Sequence, residues 1–417
     1  MNTSESAFSS ASRGAVIWGF FLVAALAVMP LLGVSVPRFL AYGLPLSGAL
    51  LTAFYPRVFG AWPRLPTAGF LAAGVFCALA ALSALWAADS ADAFGRALRL
   101  SLVLLPGMLV VALVAIAPEN VLRRWMKPVP VFLGVAALLL GLESAFGFPV
   151  YRFIHHLPAS AVSDQRSVLN RGATVIVLCC FAALPLAQNL HRFGAALLLA
   201  ACLPLIALTE SQSVQLAYGI GLVFLLAFPH KRKSAWIVLD ALVAGLILGA
   251  PWLAHWMYAH LAAALNATPF FGKGAGFAGD RLEIWDFVAR YIMKNPLYGF
   301  GVEATRGITF DAPLVYHKSA VVLHPHNFAL QLWIEFGVFG AAAGAGFFGF
   351  LLRKIYKEAP SALQRPALAC VMATLTVGAM TYGIWQGWWL GLLVLLTGFI
   401  ALSWRNAGGQ KDPVTAP

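Results

Sequence analysis

Apolar runs of about 20 residues recur along the chain from Ala15 to Trp404, separated by short polar segments. A run of that length can cross the hydrocarbon core of a bilayer as an α-helix. The pattern predicts an all-α polytopic membrane protein with about twelve transmembrane helices. Their expected cores are 14–34, 38–55, 67–87, 100–117, 129–148, 172–189, 194–209, 214–229, 235–256, 327–352, 366–385 and 387–404. Pro, Gly and Arg punctuate them, as in "YPRVFGAWPRLP" after the second and "PHKRKS" after the eighth. The first run follows a short Ser-rich leader, lacks an A-x-A cleavage site and leads at once into further apolar runs. It reads as the first span and not as a removable signal peptide.

Lys and Arg concentrate in alternate connections: Arg57 and Arg64; Arg123, Arg124 and Lys127; Arg192; Lys231, Arg232 and Lys233; Arg353, Lys354, Lys357 and Arg365. Basic loops stay in the cytoplasm, so both termini are expected there. The expected layout is helices 1–9 over residues 1–256, a periplasmic loop domain over 257–325, helices 10–12 over 326–404 and a cytoplasmic tail over 405–417. Within the large loop, Asp280 to Met293 shows a helical apolar stripe (Leu282, Ile284, Trp285, Val288, Ala289, Ile292), with Asp280 as its N-cap and "KNPLYGFG" as its stop. A smaller outer loop runs from Tyr151 to Arg171. No internal repeat is visible, which weighs against an inverted-repeat transporter.

Composition agrees with the pattern. Of 417 residues, 61% are hydrophobic and 11% charged, against about 25% charged in soluble domains. The net charge of +12 sits in short loops as topology signals, so no nucleic-acid partner is expected. The five cysteines (Cys77, Cys179, Cys180, Cys202, Cys370) all fall within apolar runs and form no CxxC pair. They predict neither a disulfide framework nor a zinc site.

One stretch breaks the apolar rule. "VVLHPHNFALQLWIEFGVFG", Val321 to Gly340, puts His326, Asn327, Gln331 and Glu335 in one stripe at the outer end of the tenth span. Polar groups in lipid must face protein or a wet cavity. Arginines near membrane depth accompany it: Arg166 and Arg171 at the sixth span, Arg281 and Arg290 in the loop helix. Each costs about 2.5–3.5 kcal/mol at a helix centre, which an anionic ligand would offset through bidentate contacts. Glu143 and Glu210 could pair with such an arginine or serve structure. His324 reads as positional, while His155, His156 and His317 read as solvated loop residues. "WQGWW" at 385–389 reads as an interfacial aromatic belt. "GKGAG" at 272–276 is no P-loop, because the Lys-Ser/Thr ending is missing.

"HNFALQLWIEFGVFG" resembles the His-Asn-x-x-Leu-Gln-x-x-x-Glu-x-Gly-x-x-Gly signature of the O-antigen ligase/polymerase superfamily of bacterial envelope glycosyltransferases. His326, Asn327, Leu330, Gln331, Glu335, Gly337 and Gly340 match it. "RLEIWDFVARYIMKNPLYGFG" resembles the segment that precedes the His in that family, from Arg281 and Trp285 to Asn295, Pro296, Gly299 and Gly301. One position departs: the family often has a Ser-Arg pair before the loop, and here Ser211 is followed by Gln212. Arg166 or Arg171 is expected to supply the missing charge.

The resemblance implies a glycosyltransferase C-like membrane fold. It also implies transfer of a glycan from undecaprenyl diphosphate to a sugar hydroxyl of lipid A–core in the bacterial inner membrane, with the site on the periplasmic face. His326 would be the base; Arg281, with Arg166, Arg171 or Arg290, would hold the diphosphate; His324, Asn327, Gln331, Glu335 and Trp285 would support them. No acidic metal-binding cluster is seen in the outer loops, so neither metal nor cofactor is expected. Direct attack by the hydroxyl implies inversion. Alternatives are an O-antigen polymerase, a protein O-oligosaccharyltransferase, which the short tail "RNAGGQKDPVTAP" disfavours, and a glycolipid transporter or flippase.

Overall fold

A computed structural model describes residues 12–158, 160, 166–209, 211–267, 278–309, 315–317 and 321–408, without the side chains of residues 166, 167, 266 and 278. The described chain is helical, with no strand and a single isolated bridge between Thr309 and Val321. The helices are α1 (Arg13–Ala27), α2 (Met29–Ser35), α3 (Leu40–Phe59), α4 (Thr67–Leu82), α5 (Ser90–Ile116), α6 (Glu119–Met126), α7 (Pro128–Ala145), α8 (Pro149–His155), α9 (Asn170–Leu190), α10 (Gly194–Leu208), α11 (Gln212–Ala227), α12 (Lys233–Leu248), α13 (Ala250–Ala267), α14 (Ala278–Ile292), α15 (Phe328–Glu358), α16 (Ser361–Met380) and α17 (Gly387–Asn406).

The protein is an all-α polytopic membrane protein. Among the described residues, nine helical segments are long and apolar enough to cross a membrane. The outside of the bundle is greasy: Leu46, Leu71, Leu102, Leu138, Leu197 and Leu226 are exposed, as a lipid solvent requires. Helix α9 is the buried centre, with Ala173 to Leu184 in the core against α7, α10, α16 and α17.

Four expectations change. The seventh and eighth spans exist as α10 and α11 but have only 15 and 16 residues. At 1.5 Å per residue they reach about 22–24 Å, short of the roughly 30 Å core. The ninth span is two helices, α12 and α13, bent by 74° at Gly249, and counting that pair as one span makes ten. Helix α13 runs on to Ala267, across the expected boundary at 256/257. Asp280 lies in the first turn of α14 and is not its N-cap.

The decisive local feature is a break in α15. Gly337 has φ 60° and ψ −148°, so the helix stops after Phe336 and restarts at Val338. The loop after α14 fills the break. Phe300 N–H donates to Ile334 O (2.8 Å) and Gly301 N–H to Glu335 O (2.9 Å), while Val338 N–H donates to Pro296 O (2.8 Å). Asn295 Nδ2 donates to Gly299 O (2.6 Å) and holds the loop's own turn. The approach leaves no room for side chains. A Cβ on Gly299 would sit 2.6 Å from the Glu335 carbonyl carbon, and one on Gly337 would sit 2.3 Å from Leu297 O. Both residues also have positive φ, which only glycine adopts at little cost.

The ends of the bundle differ. Trp125 Nε1 donates to Val16 O (3.0 Å) and Arg405 to Ala117 O (2.8 Å), gathering the start of α1 and the end of α17 at one end. The α16–α17 connector, 381–386, lies at the other end, one α17 length away (20 residues, about 30 Å). Gly299→Ala should lower stability by about 1–3 kcal/mol through overpacking and backbone strain. Thermal unfolding in detergent measures this, and an unchanged midpoint would contradict the insertion.

Candidate active site

The site forms where the segment before α15, the start of α14, the start of α9 and the 381–386 connector meet. His326 is held at φ 56°, a left-handed conformation rare for a non-glycine residue, and such strain persists where the surroundings enforce it. Its Nδ1 lies 2.6 Å from Thr381 O. A carbonyl can only accept, so Nδ1 carries the proton and Nε2 keeps its lone pair. Asn327 caps α15: its Oδ1 accepts from Ala329 N–H (3.0 Å) and Leu330 N–H (3.2 Å).

The electrostatics keep the ring neutral. Burial pushes His326 below the usual 6.5; the Thr381 bond opposes this and the Arg281 charge reinforces it. His324, tilted at 54° to His326 with ring centroids 4.2 Å apart, is pushed down to about 3 by burial, with the neighbouring His326 and Arg306 adding to it. Burial also lowers Arg281, against the pull of Asp280 and Tyr382. A guanidinium remains cationic at neutral pH all the same.

Sequence reasoning missed Tyr382, which joins the arginines. Arg171 and Arg281 both act on its phenol, opposing the rise in pKa that burial causes. Thr174 Oγ1 gives its one proton to Asn170 O (2.8 Å), so Tyr382 Oη, 3.3 Å away, donates to Thr174. The Arg171 guanidinium lies over the Trp388 ring at 5.6 Å, and Trp388 meets Tyr382 edge-on at 4.6 Å. "WQGWW" is therefore no exposed belt: Trp388 and Trp389 are buried. No local signal marks Tyr382, because a lone tyrosine after an apolar run resembles an interface residue.

His317 was expected to be solvated and is not. Its Nδ1 meets Asp280 Oδ1 at 2.6 Å, and its charge acts on His326. Glu283, buried on α14, sets this loop by accepting from the backbone N–H groups of Val315 (2.7 Å), Tyr316 (2.8 Å) and His317 (2.6 Å). A glutamate two residues after Arg281 was a visible signal, but its target was not.

The other predicted residues separate. Arg290 sits nine positions after Arg281, on the opposite face of α14, paired with Asp286 at 3.0 Å and half-exposed. It is not brought to His326. Only the backbone of Arg166 is described, at the start of a 3₁₀ turn. Trp285, one turn past Arg281, lines an apolar cavity of about 260 Å³ with Asn327, Val243, Ile247, Met257 and Leu375. Gln331 and Glu335 are fully buried and bond to the connector. Among the described residues Glu143 pairs with no arginine; it caps α8 by accepting from Val150 and Tyr151 N–H, each at 2.8 Å. His155 Nε2 lies 3.0 Å from Ser35 O. Glu210 and "GKGAG" lie outside the described residues.

A larger cavity, about 660 Å³, lies between α12 and the second half of α15. Its Arg353 and Lys354 are paired with Asp240 (3.3 Å) and Glu358 (2.8 Å). Its lining has no histidine, and its carboxylates are taken up by those cations, so volume does not mark the chemistry here. Among the described residues no three His, Cys, Asp or Glu side chains are grouped to hold a metal ion.

Residues 195–345 match the family model described as O-antigen ligase. Over that segment the chain is similar to the O-antigen ligase family. It is similar to a Rickettsia typhi protein, 26% identical over 270 residues, covering 63% of this chain and 64% of that one. A Rickettsia prowazekii protein shows the same identity and coverage. A Rickettsia conorii protein is 26% identical over 238 residues, 55% of this chain and 56% of that one. All three are named, provisionally, as polysaccharide ligases. The chain spans a little under two thirds of the length of the first two. The O-antigen ligase segment contains Arg281 and His326, whereas Arg171 and Tyr382 lie outside it.

Histidine ¹⁵N NMR in bilayers should show His326 titrating below 6.5 and His324 lower still, near about 3. A His326 midpoint at or above the ordinary imidazole value would contradict the buried, arginine-flanked placement.

Proposed function

We propose that the protein is a polysaccharide ligase: an inverting glycosyltransferase that moves a glycan from undecaprenyl diphosphate to a sugar hydroxyl of lipid A–core. The observation that carries this reading is His326, whose Nδ1–H is committed to Thr381 O while Nε2 is left to accept a proton beside Arg281. In the reaction the acceptor oxygen attacks the anomeric carbon and its proton passes to His326 Nε2. The bond from that carbon to the diphosphate oxygen breaks, and the electron pair leaves on the diphosphate. A depressed imidazole pKa keeps the base unprotonated at neutral pH.

Charge developing on the leaving group needs fixed donors. Arg281 supplies one and Arg171 the second, filling the place left by Gln212. The N-termini of α9, α15 and α17, the positive ends of helix dipoles, lie at the same site through Arg171, Asn327 and Trp388. These cations take the part a divalent ion plays elsewhere. The apolar cavity lined by Trp285 and Asn327, the residue after His326, suits the prenyl chain of the donor. The proposed setting is the bacterial inner membrane, with this site periplasmic and both termini cytoplasmic. The start of α1 and the end of α17 lie opposite the connector, which supports both termini being on the side away from the site.

Purified protein in vesicles, given undecaprenyl-diphosphate-linked glycan and lipid A–core, should yield a laddered glycolipid on a gel. His326→Ala should lose the product while keeping its fold. Product formed only between two lipid-linked glycans would mean polymerase activity, and movement of intact donor without product would mean a carrier. Arg281→Ala should lower kcat/KM on the order of 10²–10³-fold. Arg290→Ala, on the face of α14 turned away from Arg281 and with Asp286 still held by His255, should change it less than about threefold. Equal losses in both would refute the assignment. The acidic limb of the pH profile should fall below 6.5, since lowering the pKa of the base extends its unprotonated form to more acidic pH.

A further inference from the structure

The connector between α16 and α17, Thr381 to Gln386, is tied to the His326 region at every residue. Thr381 O accepts from the His326 ring, and the Tyr382 hydroxyl donates to Thr174 at the start of α9 (3.3 Å). Gly383 lies under the His324 ring, where a Cβ would be 3.0 Å from Cγ. Ile384 N–H donates to Gln331 Oε1 (3.0 Å), Trp385 Nε1 donates to Glu335 Oε2, and Gln386 Nε2 lies 3.1 Å from His324 Nε2. Gln331 Nε2 in turn donates to Glu335 Oε1 (2.8 Å).

We propose that Gln331 and Glu335 are positioning residues that hold the 381–386 connector and thereby set the tautomer of His326. Neither side chain bonds to His326 in the described contacts. They act one and two helical turns below it. Glu335 takes N–H donors on both oxygens, one from Trp385 and one from Gln331. The second bond orients the Gln331 amide so that its oxygen faces Ile384 N–H. Ile384 is three residues after Thr381, whose backbone is non-helical (φ −135°, ψ −57°), so the direction of its carbonyl is set by the connector and not by a helix ladder. Without the Glu335 acceptor, the Gln331 amide is free to turn and Ile384 loses its partner. Thr381 O then drifts from Nδ1, and the ring proton can move to Nε2, where it blocks acceptance of the hydroxyl proton. Packing alone does not call for this pair, because apolar side chains would fill the same space at less desolvation cost.

The inference rests on His326 as the base, and the test separates the two. Protein labelled with ¹⁵N-histidine is reconstituted in bilayers, and the His326 signals are identified by their loss in His326→Asn. The wild type should show a protonated Nδ1 and a bare Nε2. Glu335→Gln offers one oxygen where two donors need acceptors, and Trp385→Phe removes one donor while keeping an aromatic ring. Both variants should show mixed His326 tautomers, and kcat should fall on the order of tenfold with KM for the donor unchanged. Unchanged His326 signals in a folded Trp385→Phe protein, shown by an unaltered unfolding midpoint, would overturn the inference even if Glu335→Gln fails to fold. Altered tautomers in a protein that transfers no glycan would uphold the positioning role and overturn the enzymatic reading. An active wild type with unaltered variant spectra would do the reverse.

Discussion

In lipid, a backbone N–H or C=O left without a partner costs several kcal/mol, and the broken helix α15 obeys that constraint by taking in another piece of chain. The carbonyls of Ile334 and Glu335 and the amide of Val338 are satisfied by Pro296, Phe300 and Gly301. This insertion ends the first half of the helix at Phe336. It also ties the loop after α14 to the base of the site. The position of Arg281 relative to His326 follows from it, since α14 leads into that loop and α15 begins at the site.

A second consequence is rigidity where the chemistry needs it. His326 sits in a strained conformation on a segment pinned from below by the α15 break and from the side by the connector. Its neutral ring and committed Nδ1–H follow from burial and from one carbonyl. In the proposed reaction, a base so placed needs little reorganisation to accept a proton, which is the economy that preorganised sites share. The arginines come from different directions, Arg281 from α14 and Arg171 from α9, with the phenol of Tyr382 between their fields.

The apolar pattern made the helices legible because lipid allows little else to span it. The stripe His326–Glu335 and the segment from Arg281 to Gly301 were legible as chemistry because polar groups in an apolar run need a reason. Their division of labour was not. Gln331 and Glu335 share a face with Asn327, yet they serve the connector while Asn327 caps the helix. Arg281 and Arg290 share a helix and differ by half a turn, so the charge of one acts on His326 and the other pairs with Asp286. His317 and Tyr382 carried no mark at all, since both gain their surroundings from residues distant in the chain.

From the sequence alone came the membrane class, the helix positions, the polar segment and His326 with Arg281, because hydrophobic periodicity and spacing are local properties of the chain. Tertiary structure alone decided that Arg171 lies over Trp388 and acts on Tyr382, which ring nitrogen of His326 holds the proton, where α15 breaks and how short α10 and α11 are. Each of those depends on a carbonyl, a ring or a loop brought in from far along the chain, and such partners leave no trace in local pattern.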